Sequence, residues 1–384
     1  MTPARSAGRQ EALTTGQRSR TRPHEGAVTG HLFKIIRERM PMTQVRLAEL
    51  LGVDTTTVQG WESGRRPLTA VPYSHLLTLR RRLLRRGAHP ALLVLLDDAM
   101  DADSIIAHAL SGEPSSATTA AHPLACWVFN RTTTHMIAWA LTGTPPAALP
   151  ATPVDAPRRR GPSPDSPLLT GAERLQFFSR MRRSAELADH AGEDGALLRR
   201  QALYLCSYDT APDTRDWLAH IQSRKTVRFD RASWSPGWAD TRSLATSLTR
   251  YGDLDLLHDF IKQGMNDDVG ERANLNYWAY WLGLDTLPRS DDSFMADQSP
   301  GRWDASALLR SIADRLDPAL GCVDLNIHSV WSLLAHRPGL PSADQGLTDD
   351  LRRRVACLLD SGAVSQQARR ELDQVYYGLR LSTH

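Results

Sequence analysis

The sequence predicts an all-α fold, in which a small N-terminal helical unit is followed by a large helical region. Apolar side chains recur with helical periodicity; in the first such segment, Leu32, Ile35 and Ile36 fall at i, i+3 and i+4 spacing, and Pro41 ends it. No segment shows sustained alternation of apolar and polar positions with β-branched residues, so strands are not predicted. Short polar or Gly/Pro breaks separate the helical segments.

The predicted helices follow one another along the whole chain. In the first third they begin at Val28, within residues 43–64, at Pro72 and at Pro90, and an apolar segment covers residues 124–141. Beyond Leu168, the periodicity predicts ten more, over residues 170–191, 194–207, 213–223, 240–250, 253–265, 268–284, 303–316, 322–336, 347–361 and 364–380. Helix pairs of this length can stack as an α-solenoid of the tetratricopeptide kind, although no fixed-period repeat is visible.

Composition places the chain among soluble globular proteins. Of its 384 residues, 41% are hydrophobic and 23% are charged, which excludes a wholly disordered chain. The longest purely apolar run, residues 91–96, is far shorter than the ~20 residues that cross a bilayer. The N-terminus is polar and arginine-rich, without the apolar region of a secretory signal, so we expect a cytoplasmic protein. The four cysteines are far apart, which argues against a zinc ribbon or a disulfide framework.

The formal net charge of +3 conceals an asymmetry between the two parts of the chain. Residues 1–90 contain 16 Lys/Arg and 6 Asp/Glu, whereas residues 91–384 contain 30 and 37. The first quarter is therefore strongly basic and the remainder mildly acidic. Such a division indicates a polyanion-binding end.

The segment TQVRLAELLGVDTTTVQGWESG, residues 43–64, predicts two short helices joined by a tight turn. Thr43 is placed to cap a helix that starts at Gln44, and Asp54 to cap the next helix. Gly52 stands at the turn, where a left-handed backbone conformation is inexpensive for glycine alone. An apolar stripe on the first helix completes the pattern, formed by Leu47, Leu50 and Leu51.

The second helix of this segment, residues 55–63, divides into two faces at 100° per residue. Val58 and Trp61 point towards the core. The opposite face is short-chained, uncharged and able to form hydrogen bonds; it comprises Thr55, Thr56, Gln59, Gly60 and Ser63. Three consecutive threonines and a glycine lower helix propensity. A face that sacrifices stability for small polar groups suits the reading of base edges in the DNA major groove.

This segment resembles the helix-turn-helix of the Cro/phage-repressor (XRE) family. The matching positions are Gln44, Leu47, Ala48, Leu51, Gly52, Val53, Val58, Trp61, Glu62 and Gly64, and GWESGRRPL is similar to the family's usual exit from the recognition helix. The resemblance covers about residues 30–85. It implies that Thr55, Thr56 and Gln59 read bases, and that Gln44, Thr57, Arg65 and Arg66 contact phosphate. For the two arginines, ordinary surface exposure is the alternative.

The resemblance implies double-stranded operator DNA as the partner and a homodimer, with recognition helices about 34 Å apart. The chain then divides into five predicted regions: a flexible basic arm (1–27), the helix-turn-helix domain (28–86), a helical connecting or dimerisation region (87–143), a linker with eight prolines (144–167) and a helical sensor or interaction domain (168–384). For the arm, a frayed terminus without a role is as good an interpretation as DNA contact.

Four aromatic residues on one predicted helix, Tyr277, Trp278, Tyr280 and Trp281, cover more than one of its faces. Packing in a core or dimer interface is the first interpretation, and a pocket for a small-molecule or peptide effector is the second. The surrounding segment, ANLNYWAYWLG, is similar to one in large actinobacterial regulators of this type.

No sequence motif indicates catalysis, since GxSxG, Walker A, HExxH and GxGxxG are all missing and the 13 histidines are scattered. We therefore expect no enzyme activity, no catalytic residues, no metal, no cofactor and no membrane association. The predicted function is a nucleoid-associated transcription regulator that binds specific DNA as a dimer. The alternative is a helical-repeat protein that binds a peptide or protein partner and is tethered to DNA by its helix-turn-helix.

Overall fold

The computed structural model describes residues 25–115, 119–150, 166–224, 234–298 and 303–381. In these ranges the chain is mostly α-helical and contains no β-strand, so the all-α prediction is confirmed. The predicted arm lies outside these ranges except for residues 25–27. The predicted linker is described only at its two ends. None of the described helices combines the length and apolarity needed to cross a bilayer.

Seventeen α-helices occur in the described ranges. The first six are α1 (Ala27–Arg39), α2 (Gln44–Leu51), α3 (Thr55–Glu62), α4 (Tyr73–Arg85), α5 (Pro90–Ser111) and α6 (Arg131–Thr142). They are followed by α7 (Gly171–His190), α8 (Ala196–Cys206), α9 (Pro212–Arg224), α10 (Pro236–Leu248), α11 (Asp255–Asp259) and α12 (Asp268–Trp281). The last five are α13 (Ala305–Ala313), α14 (Val323–His336), α15 (Leu340–Ala343), α16 (Gln345–Ser361) and α17 (Gln366–Leu381).

The predicted helices correspond to observed ones, with two local differences. The segment 253–265 contains a short α-helix, α11, that continues as a π-helical turn, Phe260–Gly264, rather than as one regular helix. The one-turn helix α15 lay in a stretch where no helix was predicted, because its four residues, LPSA, are too few to show a period.

Helix α1 connects the N-terminal helices to the rest of the core. It packs against α3 on one side and against α5 and α6 on the other. Val28, Leu32 and Phe33 are fully buried there. Further along the chain, α7 packs on α8 and α16 on α17, while α8 also packs on α10 and α14 on α17. Side-by-side helix pairs are what a solenoid requires, but a regular stack remains a prediction.

Candidate nucleic-acid interface

Two helices joined by a tight turn, α2 and α3, form the predicted motif. The hydroxyl of Thr43 accepts a hydrogen bond from the backbone N–H of Arg46 at 3.1 Å, so the predicted cap of α2 is present. Gly52 ends α2 with φ of +69°, in the left-handed region that favours glycine. Asp54 occupies the N-cap position of α3, but its side chain makes no capping hydrogen bond. Its carboxylate therefore acts on α3 only through the helix dipole.

The two faces of α3 lie as the periodicity predicted at most positions. Val58 is fully buried and Trp61 is 8% exposed. The indole of Trp61 meets the ring of Phe33 edge to face, with centroids 5.8 Å apart, which fixes α3 against α1. On the opposite face, Thr56 and Gln59 are exposed and Thr55 is half-buried. The structure therefore presents these three predicted base-reading residues on one side of α3.

Gly60 faces away from the core, as its position in the helix predicts, but it is not exposed. The side chain of Arg66 covers it: a Cβ atom at position 60 would lie 3.0 Å from Cδ of Arg66. Nη1 of Arg66 also donates a hydrogen bond to the Thr57 hydroxyl at 3.2 Å. Glycine at position 60 thus leaves room for Arg66 to lie along α3, which brings two predicted phosphate contacts together.

The third predicted phosphate contact, Gln44, takes part in a polar network that joins three helices. Its amide nitrogen, Nε2, donates to Oε2 of Glu62 at 2.7 Å. Glu62 in turn accepts from Nη2 of Arg37 at 3.1 Å, and Nη1 of Arg37 donates to the Met42 carbonyl at 2.9 Å. The side chains of Arg37 and Glu62 are only 8% and 5% exposed. This network fixes α1, α2 and α3 relative to one another.

Burial opposes the charge on Arg37, but its hydrogen bond and Coulomb attraction to Glu62 prevail, so the pKa of Arg37 is raised above its ordinary value. The pairing makes the buried charge tolerable, since an isolated one would be costly. The sequence alone places Glu62 and Gln44 at separate positions of the motif, and favours for Glu62 a contact with a neighbouring helix end or an arginine over contact with anionic DNA. Only the fold shows that Gln44 and Arg37 share Glu62 as their hydrogen-bond acceptor.

Arginines on and beside the motif fall into two groups. Arg65 is exposed and makes no hydrogen bond or ion pair with the described residues. On α4, by contrast, Nη1 of Arg82 donates to the Leu51 carbonyl at 2.6 Å and so caps the C-terminus of α2. Arg80 pairs with Asp97 of α5. The whole guanidinium of Arg65 is therefore available for a phosphate.

A close approach between α1 and α3 depends on Gly30. A Cβ atom there would lie 2.3 Å from the carbonyl oxygen of Trp61, closer than any such contact in real structures. Any side chain at position 30 would push the recognition helix away from α1. The sequence analysis did not single out this glycine, because it lies within the regular helical pattern of α1.

Asp103 was likewise missed by the sequence analysis. This residue of α5 is fully buried, and its two carboxylate oxygens accept from the backbone N–H groups of Val28 and Thr29, each at 2.9 Å. It therefore binds the N-terminal end of α1, where the helix dipole favours a negative charge. Burial nevertheless raises the pKa of Asp103 to about 7, although the hydrogen bonds oppose the shift.

The comparisons with known proteins agree with this geometry. Residues 33–70 match the family model described as helix-turn-helix. The predicted XRE-type motif is thus confirmed in a segment of 38 of the 384 residues, and it is a DNA-binding module of transcription regulators. No curated protein and no solved structure matches the chain significantly.

The aromatic residues of α12 lie outside this unit, and all four are buried. Tyr277, Trp278, Tyr280 and Trp281 are 4–7% exposed. Tyr277 stacks on Trp281 with ring centroids 6.0 Å apart, and Nε1 of Trp278 donates to the Ser329 hydroxyl at 3.0 Å. These contacts favour core packing for the four rings. A pocket formed by the rings themselves remains a prediction.

Proposed function

We propose that this protein is a sequence-specific transcription regulator that reads the major groove of double-stranded DNA with α3, as a homodimer. One observation carries the proposal: α3 presents Thr55, Thr56 and Gln59 on one uncharged face, while Val58 and Trp61 anchor the opposite face in the core. Short polar side chains at the start of a recognition helix are the groups that meet base edges.

Each side chain of the interface has a chemical role in this proposal. The Gln59 amide can pair with adenine through two hydrogen bonds, and a threonine methyl can pack on the methyl of thymine. Gln44 uses one N–H on Glu62 and retains the second for a phosphate. Thr57 accepts from Arg66 and still has its own O–H to donate. Arg65 and Arg66 add positive charge at the exit of α3.

The remaining regions are assigned by the same proposal. The helix-turn-helix domain covers residues 28–86, the segment 87–143 connects and dimerises, and the region 168–384 senses an effector or binds a partner. We infer a protein without enzyme activity, located in the cytoplasm with the nucleoid. A structure of the dimer on DNA should show two recognition helices about one helical turn apart.

A binding array of duplex DNA tests the proposal with three variants of the full-length protein. Gln59→Ala is expected to lose about 1–3 kcal/mol on the preferred site and to relax base preference at one position. Arg65→Ala should weaken binding to every duplex alike and reduce the salt dependence by about one counterion. Arg353→Ala, which changes an exposed arginine of α16, serves as the control.

Two results would contradict the proposal or its residue roles. If the wild type binds all duplexes equally and only through salt-sensitive contacts, it is not a sequence-specific regulator. If Gln59→Ala and Arg65→Ala lose affinity equally on every sequence, the roles assigned to these two residues are wrong.

A further inference from the structure

Four arginines in the helical body form a cluster without acidic partners. They are Arg131 at the start of α6, Arg242 in α10, Arg250 just after α10 and Arg315 just after α13. Among the residues that the structure describes, no Asp or Glu oxygen lies within ion-pair distance of any of the four. We name these residues the arginine cluster.

Aromatic rings hold the arginine cluster together. The guanidinium carbons of Arg242 and Arg315 lie 5.1 and 5.3 Å from the ring centre of Trp278. Arg242 also lies 4.1 Å from the ring centre of Tyr277. Arg250 covers Tyr208 at 3.7 Å, so each of these cations rests on a ring face. The buried aromatic residues of α12 thus form the floor on which two of the guanidinium groups lie.

Arg242 is the most confined member of the cluster. It is 4% exposed, its Nε donates to Oδ1 of the neutral Asn274 at 3.0 Å, and its Nη2 has no hydrogen-bond partner. Burial lowers the pKa of Arg242 to about 10. A buried guanidinium with unused donors and no counter-ion is costly to the fold. Such a group is therefore a strong indication of a missing anion.

Two other arginines of the body, one buried and one half-buried, do have carboxylate partners. Arg200, which is equally buried, forms an ion pair with Asp292, and Nε donates to its Oδ2 at 2.8 Å. Arg182 pairs with Asp209 at 2.8 Å. Because these neighbouring arginines have carboxylate partners, the lack of acidic partners is a local property of the arginine cluster.

The pKa of His135 reflects both its burial and the positive charge around it. It lies one turn after Arg131 on α6. Burial, and then the positive charges of Arg131, Arg315 and Arg250, lower the pKa of His135 to about 4. The histidine is therefore neutral at physiological pH and does not add to the charge. Arg131 and Arg315 are half-buried and Arg250 is exposed, so the cluster is open to solvent on that side.

We infer that the arginine cluster binds a small organic anion, a phosphate monoester, as the effector of this protein. Guanidinium groups bind phosphate oxygens through paired hydrogen bonds, and several unpaired guanidinium groups match a dianion better than a single carboxylate. The Tyr204 hydroxyl, which accepts from Arg250 at 2.9 Å, adds an O–H donor beside them. The anion site itself is independent of the proposed DNA-binding function; its role as an effector site rests on that function.

Helix α6 connects this site to the DNA-binding unit. Arg131 and His135 lie at its start, where the hydroxyl of Thr133 also donates to Asp98 of α5 at 2.7 Å. Near the other end of α6, Trp139 meets the ring of His31 on α1, with centroids 5.0 Å apart. An anion that draws the arginines together thus acts on a helix in direct contact with α1, and should change the affinity for DNA.

Thermal unfolding of the full-length protein with inorganic phosphate tests the binding site. Phosphate should raise the Tm of the wild type by several degrees over sodium chloride at equal ionic strength. Arg242→Met and Arg250→Gln should each abolish most of this difference, and Arg353→Met should retain it. Arg250→Gln guards against misfolding of the first variant, because Arg250 is exposed. Citrate in place of phosphate distinguishes a carboxylate site, which would overturn the phosphate assignment.

Equal shifts in the wild type and both cluster variants would overturn the inference, as would no shift in the wild type. DNA binding is measured separately, without phosphate. If the protein reads specific DNA but shows no phosphate shift, the anion site is wrong and the proposed function stands. If phosphate binds but no DNA sequence is preferred, the anion site stands and the proposed function is wrong. A phosphate effect on DNA affinity that persists in Arg242→Met is simple competition and contradicts the effector role.

Discussion

Arginine is used in opposite ways in the helix-turn-helix and in the arginine cluster of the body. In the helix-turn-helix domain, the buried Arg37 of α1 is paired with Glu62 of α3, and Arg65, which has no partner among the described residues, lies at the surface. In the cluster, Arg242 is buried and has no acidic partner. An exposed guanidinium without a partner costs the fold little, because water solvates it. A buried guanidinium without an anion lowers the stability of the folded state.

The difference teaches that the two basic regions suit different anions. A helix-turn-helix domain whose buried charges are paired and whose free charge lies outside fits a long polyanion that stays outside the protein. A group of arginines on buried aromatic rings fits a small anion instead. Substitutions that remove an acidic partner, a buried carboxylate or an arginine from either region test this difference.

The largest effect is expected from Glu62→Ala, which would leave the buried Arg37 with only the exposed carboxylate of Glu38 as an acidic partner. Breaking a buried ion pair by removing one partner costs about 3–5 kcal/mol. The free energy of unfolding from chemical denaturation should therefore fall by that amount. Glu38→Ala is the matched control, because Glu38 contacts the same guanidinium at 3.4 Å but is 39% exposed. Equal losses in the two variants would mean that the buried pair Arg37–Glu62 contributes no more to the free energy of unfolding than the exposed contact with Glu38.

A smaller effect, visible as a pH dependence, is expected from Asp103→Asn. Burial raises the pKa of Asp103 to about 7, so the folded state binds a proton that the unfolded state releases near pH 4. The stability of the wild type should therefore fall as pH rises from 4 to 7, by roughly 3 kcal/mol, and the variant should lack this fall. Denaturation of both proteins at pH 4.5, 6 and 7.5 measures the difference.

The sign of that difference is decisive. If the wild type gains stability relative to Asp103→Asn as pH rises, the hydrogen bonds from Val28 and Thr29 outweigh burial, and the carboxylate is held ionised. The link between α5 and α1 would then be a charged one, like the pair inside the motif.

The smallest effect on stability is expected from Arg242→Met without added anion. Removing an unpaired buried charge relieves its desolvation, although Asn274 loses a donor, so the free energy of unfolding should stay level or rise by about 1 kcal/mol. Arg200→Met, in which Asp292 loses its partner, should instead be destabilised by several kcal/mol. If Arg242→Met is equally destabilised, the arginine has a structural role and the contrast fails.

Local patterns made much of the fold predictable. Thr43 and Gly52 occupy the cap and turn that their chemistry favours, and Val58 and Trp61 face the core as the 100° spacing requires. The burial of Gly60 could not be predicted, because helical periodicity gives the direction of a position but not what covers it, and Arg66, six residues later, folds back over it. The bend at Phe260–Gly264 was missed because a π-turn has no separate apolar period.

The sequence by itself determined the helices, the helix-turn-helix and the basic character of the N-terminal end, because these depend on residues within a few turns of one another. Only the tertiary structure decided which charges meet. Arg37 finds Glu62 across 25 residues, and Asp103 reaches Val28 across 75. It also left Arg242 of α10 with the neutral Asn274 of α12 but without an acidic partner among the described residues. The energy of a charge depends on burial and on the distance to the next charge, and neither can be read from order along the chain.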